Sequence, residues 1–151
     1  MRVTLSFATT ADGYLDDNTP ERLLISTPGD WEAVHRLRAA HDAILVGAET
    51  LRRDNPALLL RDPAVRARRA AEGLQPDLAK VTVSRSGRLS PELRFFTEGD
   101  ADRYVFSQGE IPDISSFAEV ISTDDLITAA GIVTELEKRG IDSLLVEGGA
   151  Q

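Results

Sequence analysis

Short β-rich runs alternate along this chain with stretches of helical periodicity, and that alternation most narrows its fold. The predicted strands are Val3 to Ala8, Ala43 to Val46, Lys80 to Ser84, Arg103 to Ser107, a weaker run Ala118 to Ile121, and Ser143 to Glu147. A chain that returns to strand after each helix covers a parallel sheet with helices, so the pattern predicts an α/β domain. The 151 residues suit one domain, without repeat, linker or low-complexity segment. Thr27 as N-cap, Pro28 at the first helical position and Asp30 at the third mark the first helix. Trp31, Val34 and Leu37 form its apolar side. Another helix is predicted from Thr123-Asp124 to Lys138-Arg139-Gly140, with Leu126, Ile127, Ala130, Val133 and Leu136 as its core stripe. Between Arg61 and Gly73 the pattern reads as a surface helix whose Arg66, Arg68 and Arg69 form a solvated face. Gly73 to Ala79 reads as a turn-rich loop.

The charge balance narrows the partners. A net charge of −8 repels nucleic acid and anionic lipid. The absence of cysteine excludes disulfides, thiolate metal sites and a Cys nucleophile, and two His at unrelated positions argue against zinc. No run approaches the length of a membrane-spanning helix, and the first residues lack the continuous apolar stretch of a signal peptide. The expectation is a soluble cytoplasmic protein without metal, nucleic-acid partner or membrane.

Open α/β sheets bind ligands where strands end, and three such places carry suggestive residues. The first is Ala8-Thr9-Thr10-Ala11-Asp12-Gly13, where small residues leave a strand and Asp-Gly sets a turn. The second follows Gly47, where Thr50 and Asp54 stand four apart on one face of a short helix, suited to a ribose or carboxamide or simply to a capped, solvated helix. The third is Glu147-Gly148-Gly149, whose glycine amides suit a pyrophosphate or an ordinary turn. Arg38, ending the first helix, and Arg61, after the run Ala57-Leu58-Leu59-Leu60, are the candidates for gripping a substrate anion, although either arginine also suits a snorkelling role.

Taken together these pieces resemble a known family. The block VHRLRAAHDAILVGAETLRRDNPALLLR, Val34 to Arg61, is similar to the central pattern HxLRxxxDAILVGxxTxxxDxPxLxxR of riboflavin-biosynthesis pyrimidine reductases. Asp12-Gly13 and Val146-Glu147-Gly148-Gly149 fall in the family's order, and the resemblance covers nearly the whole chain. It implies a dihydrofolate-reductase-like fold, a mainly parallel sheet flanked by helices, here lacking its C-terminal strands. It also implies NADPH as cofactor and reduction of a ribosylaminopyrimidine 5′-phosphate to its ribitylamino product.

By this resemblance Ala8 lines the nicotinamide side, Thr50 and Asp54 contact NADPH, and Gly148 and Gly149 cradle its pyrophosphate. Ser84 or Arg85 would meet the adenosine 2′-phosphate. Arg38, Leu58, Arg61 and Glu147 match substrate-holding positions, the arginines suiting the phosphate. No catalytic residue is assigned, and a homodimer is implied. The family often carries Ser-x-Trp before its first helix, where Arg22-Leu23-Leu24 stands here. That departure admits a dihydropterin or another imine as substrate, and a non-catalytic NADPH-binding module is the third reading. Relatives fused to a zinc deaminase carry its cysteines, absent here, so the resemblance covers the reductase half. Because a buried-strand pattern runs straight into Gly148-Gly149, the sequence is expected to continue past Gln151.

Overall fold

A computed structural model of the chain describes residues 1–13, 28–123 and 125–148. Strands β1 (Arg2–Ser6), β2 (Ala43–Gly47), β3 (Ala79–Ser84), β4 (Arg103–Gln108), β5 (Glu119–Thr123) and β6 (Ser143–Glu147) make one sheet. Their order is β1-β6-β2-β3-β4-β5, and every neighbouring pair is parallel. All six strands predicted from the sequence are present, within a residue or two of the expected ends. The fifth, although apolar only in part, is held along β4 from Glu119 to Thr123. The helices are α1 (Pro28–Ala39), α2 (Ala48–Asp54), α3 (Pro63–Ala71), the single turn α4 (Arg94–Thr97) and α5 (Ala129–Glu137).

Side-chain alternation divides the core between the two sheet faces. Ile44, Val46, Val105 and Leu145 turn to one face and pack with Leu37 of α1, Leu51 of α2, Val65 of α3 and Phe95 and Phe96 of α4. Ala43, Val81, Tyr104, Phe106 and Leu144 turn to the other, under Ile132 and Leu136 of α5. At its outer edge β1 leaves Val3, Leu5 and Phe7 exposed at 45%, 65% and 63%.

Three helix expectations need correction. The last helix begins at Ala129, because Thr128 caps it: its Oγ1 accepts from Gly131 N at 3.1 Å. Thr123 belongs to β5, and Asp124 lies outside the described residues. Leu126, 72% exposed, and Ala130, also exposed, are therefore not core, whereas Leu136 is fully buried. In α1 Trp31 is 38% exposed and only Leu37 of the three packs on the core, while Thr27 lies outside the described residues.

The third correction concerns α3. The helix is present, with Pro63 in its first turn and Asp62 Oδ1 accepting from Ala64 N at 2.8 Å. Arg68 is exposed as expected, and Arg66 is half-exposed with its guanidinium on Asp77 at 3.0 Å. Arg69, however, is buried. Its guanidinium donates to Gln75 O at 3.0 Å and to Ala39 O and His41 O at 2.9 Å each. The chain needs a donor there because α1 ends and β2 begins within a few residues, leaving inward carbonyls without sheet partners.

Lys80 is a second buried cation. Paired in register with Arg103, it donates from Nζ to Phe95 O at 3.2 Å and Glu98 O at 2.6 Å, at the C-terminal end of α4. Arg103 Nε reaches the same Phe95 O at 3.0 Å. Burial, then the Arg103 charge, pulls the Lys80 ammonium down from 10.5 to about 8. Between those two values the unfolded chain binds more protons than the folded one, so this group makes stability rise with pH across that window. The amino terminus, pushed up by Glu137, acts in the opposite sense. Urea unfolding of wild type against Lys80→Met isolates the lysine: the stability of wild type relative to the variant is expected to rise as pH climbs from about 8 towards 10. A difference flat with pH would contradict it.

Candidate active site

The connection from β1 runs to β2, that from β5 returns to β6, and β6 lies between β1 and β2. The chain thus crosses the whole sheet from β5 to insert β6 beside its first strand, and in open α/β sheets ligands bind at the carboxyl ends of the strands. Ser6 and Glu147 are register partners at that end, and Gly47 closes β2 beside them.

Helix α1 is fixed at its C-terminal end by two ties. His41 takes Leu37 O at 2.7 Å with Nδ1 and Thr4 Oγ1 at 2.8 Å with Nε2, linking the end of α1 to β1. Asp42 Oδ2 accepts from Ser143 N and Ser143 Oγ at 2.8 Å each, which sets the start of β6 against β2. With both elements fixed, the last turn of α1 meets the last residue of β6. Arg38 Nε donates to Glu147 Oε1 at 2.9 Å and Arg38 Nη2 to Glu147 Oε2 at 2.6 Å. This fork-to-fork pair is 13% and 15% exposed, so it is shielded from salt yet open at one edge. Two residues singled out separately in the sequence are thus one unit.

Arg61 reaches the same place from the loop after α2. That loop is held by Asp77, whose Oδ1 accepts from Leu60 N at 2.9 Å, and it turns through left-handed backbone at Asn55 (φ 42°) and Leu58 (φ 55°). Such a conformation costs a leucine about 1 kcal/mol or more. The Leu58 side chain is buried in the core, so a ligand here meets main chain at that position. Arg61 itself is exposed. Its charge and that of Arg38, after burial, hold the His35 imidazole below its ordinary value, against the pull of Glu147. His35 stands one helical turn before Arg38, and its Nδ1 is buried with no partner among the described residues. Sequence reasoning passed it over. Its three-residue spacing from Arg38 was the available signal.

The proposed cofactor positions lie on the other side of Glu147. Gly148 has φ 147°, and a Cβ added there would come within 3.5 Å of Thr50 Oγ1 and 4.0 Å of Gly47 N. The space beside Gly148, rimmed by Thr50 and the Gly47 amide, is a cradle that a side chain would fill. A pyrophosphate fits that donor set. Asp54 is exposed in the last turn of α2, on the Thr50 face. Ala8 is exposed beyond the end of β1, and Gly13 N donates to Thr10 O at 2.9 Å in the expected Asp-Gly turn. Ser84 differs from expectation: it is buried, its hydroxyl has no partner among the described residues, and the exposed neighbour is Arg85. Gly149 lies outside the described residues.

The family model described as the RibD C-terminal domain matches residues 1–151. The chain belongs to that family. The expectation drawn from Val34 to Arg61 is therefore borne out. A RibD-family relative from Archaeoglobus fulgidus, a 2,5-diamino-6-ribosylamino-4(3H)-pyrimidinone 5′-phosphate reductase, is 28% identical over 97% of this chain and 69% of its own length. A protein of the same description from Aquifex aeolicus is 28% identical over 91% of this chain and 60% of its own. Among solved structures, a Thermotoga maritima deaminase/5-amino-6-(5-phosphoribosylamino)uracil reductase superposes with a TM-score of 0.80 at 32% identity. That match covers 98% of this chain and 39% of that one. The RibD reductase-domain architecture, with its parallel sheet flanked by helices, is thus shared. Among the described residues, no helix is long and apolar enough to cross a membrane.

Proposed function

We propose that this RibD-family chain is an NADPH-dependent reductase that converts a 5′-phosphorylated ribosylaminopyrimidine to its ribitylamino product in riboflavin biosynthesis. The observation that carries the reading is the Arg38–Glu147 pair at the end of β6, with Gly148 beside Thr50 and the Gly47 amide next in the chain and the Arg61 charge felt at His35 one turn from Arg38. Glu147 occupies Nε and Nη2 of Arg38 and leaves Nη1 to a ligand. The pair therefore presents a guanidinium edge of fixed direction, suited to a phosphate or a heterocycle carbonyl. Arg61 adds a second cation, and Leu58 bounds the same pocket with its main chain.

NADPH, when bound, would supply a hydride to the sugar C1′ of the substrate as the C1′–O4′ bond opens, O4′ leaving as a hydroxyl with a proton from solvent. The chain's own contribution is placement and charge. Thr50, Asp54, Gly148 and Gly149 hold the dinucleotide, Ala8 is small enough for the ring to approach the backbone, and Arg85 is the better-placed cation for an adenosine 2′-phosphate than the buried Ser84 hydroxyl. A homodimer is part of the proposal, supported by the exposed apolar residues Val3 and Leu5 on β1, at the edge of the described sheet, and Phe7 just beyond it. Light scattering tests it: Leu5→Glu is expected to reduce a dimeric mass to that of one chain, and a monomeric wild type refutes it.

Loss of NADPH absorbance with the ribosylaminopyrimidine phosphate tests the activity. Turnover is expected, with Arg61→Ala raising KM roughly tenfold or more and changing kcat little, as for an interaction made equally in ground and transition states. A folded chain that binds NADPH and turns over none of the pyrimidine would remove the substrate assignment.

A further inference from the structure

The two histidines are treated very differently by the fold. His41 has both ring nitrogens satisfied, by Leu37 O and Thr4 Oγ1, and serves as a tie between α1 and β1. His35 has Nδ1 buried and unpartnered among the described residues, whereas the Nδ1 of His41, just past the end of α1, meets the carbonyl of Leu37 four residues earlier. A buried polar nitrogen without a partner costs about 1–3 kcal/mol, so a position that keeps one calls for a reason. Core packing alone is a poor one, because His35 is only partly buried and stands one turn from Arg38 of the Arg38–Glu147 pair.

The charges that face His35 come from three elements. Arg38 approaches from its own helix, Arg61 from the loop after α2, and Glu147 from β6. Glu32, one turn earlier, is 80% exposed and pairs with Arg36. Two guanidiniums against one carboxylate, itself engaged by Arg38, leave the neighbourhood net positive. Burial first, and then the two guanidiniums to which an imidazolium would add a third cation, hold the ring below its ordinary value and favour its neutral form. A doubly charged anion reverses that balance.

We propose that His35 is the proton-binding member of the anion subsite: neutral while the subsite is empty, it takes up a proton when a phosphate group settles between Arg38 and Arg61. This rests on the reading of those arginines given above. Protonation turns the ring into a donor at both nitrogens, and linkage requires that anion affinity fall as pH rises through the histidine range. Binding of the phosphorylated substrate would then be proton-coupled, while the product phosphate would leave more readily at higher pH.

Sulfate is the useful probe, because it stays a dianion throughout that range and contributes no titration of its own. Proton NMR of the ring C2–H signals follows each histidine in the wild-type chain, with His35→Gln assigning them. With saturating sulfate the His35 midpoint is expected to rise by about one unit while His41 stays put, and sulfate affinity to fall up to about tenfold from roughly pH 5.5 to 7.5. His35→Gln is expected to bind sulfate with that pH dependence abolished. If sulfate moves the Arg38 and Arg61 side-chain resonances but not the His35 midpoint, the proton-coupling proposal is overturned and the anion subsite stands. If neither guanidinium responds, both fall.

Discussion

Arg69→Ala is expected to lower the unfolding free energy by about 3–5 kcal/mol, a large share of what a domain of this size possesses. Among the described residues the side chain makes no ion pair; it holds three carbonyls, those of Gln75, Ala39 and His41. Those carbonyls belong to the end of α1, the approach to β2 and the loop before β3, so one side chain joins three segments. Truncation leaves three inward acceptors without their donor, together with the volume of the side chain. Arg69→Met separates the two contributions, because it fills the space and supplies no N–H. Urea unfolding of both variants decides the matter: near-equal losses place the energy in the hydrogen bonds, and a loss under about 1 kcal/mol in both would refute the structural role.

The second large effect is on turnover. Arg38→Lys is expected to cut kcat/KM roughly 100-fold, with only a small change in melting temperature. An ammonium keeps the charge but cannot engage Glu147 through two parallel N–H bonds and still present a third N–H edge to a ligand. One lost charge-assisted bond is worth about 1.5–3 kcal/mol, which spans the expected factor. Glu147→Gln makes the complementary test: it keeps the shape, removes the charge that orients Arg38, and is expected to lower kcat/KM less, by about tenfold. Steady-state kinetics and thermal melts on the same preparations separate a positioning effect from unfolding. Wild-type kcat/KM in Arg38→Lys would exclude the pair from substrate binding.

Strands were legible as short runs rich in aliphatic and aromatic residues; β2 is apolar along both faces, whereas β3 sets Lys80, Thr82 and Ser84 along one of them. The helix errors have a common cause, in that a capping or charge pattern was read without its tertiary setting. Thr123-Asp124 resembles a helix start, yet pairing along β4 holds Thr123 in a strand and the capping falls to Thr128. Arg69 sits in a basic run that reads as solvated, and only the folded chain reveals the carbonyls it meets. At the candidate site the individual residues were readable from their motif, but not their coupling. Nothing in the spacing of Arg38 and Glu147, 109 residues apart, announces a bidentate bond. His35 was lost for the same reason, since its significance lies in the charges of Arg61 and Glu147 that folding brings to it.

The position of β6 has a kinetic corollary. Among the described residues the sheet's first strand, β1, pairs with β6 alone, and the register partners Arg2 and Ser143 are separated by nearly the whole chain. Closing so long a loop is entropically expensive, and ordering β1 must wait until β6 has docked on β2. The β2-β3-β4-β5 block, whose strands are neighbours in sequence order and so close far smaller loops than β1 with β6, is the natural nucleus, and the site around Glu147 is among the last regions to become native. A substrate or dinucleotide that bridges Glu147 and Ala8 would slow unfolding by clasping the two strands that come together last.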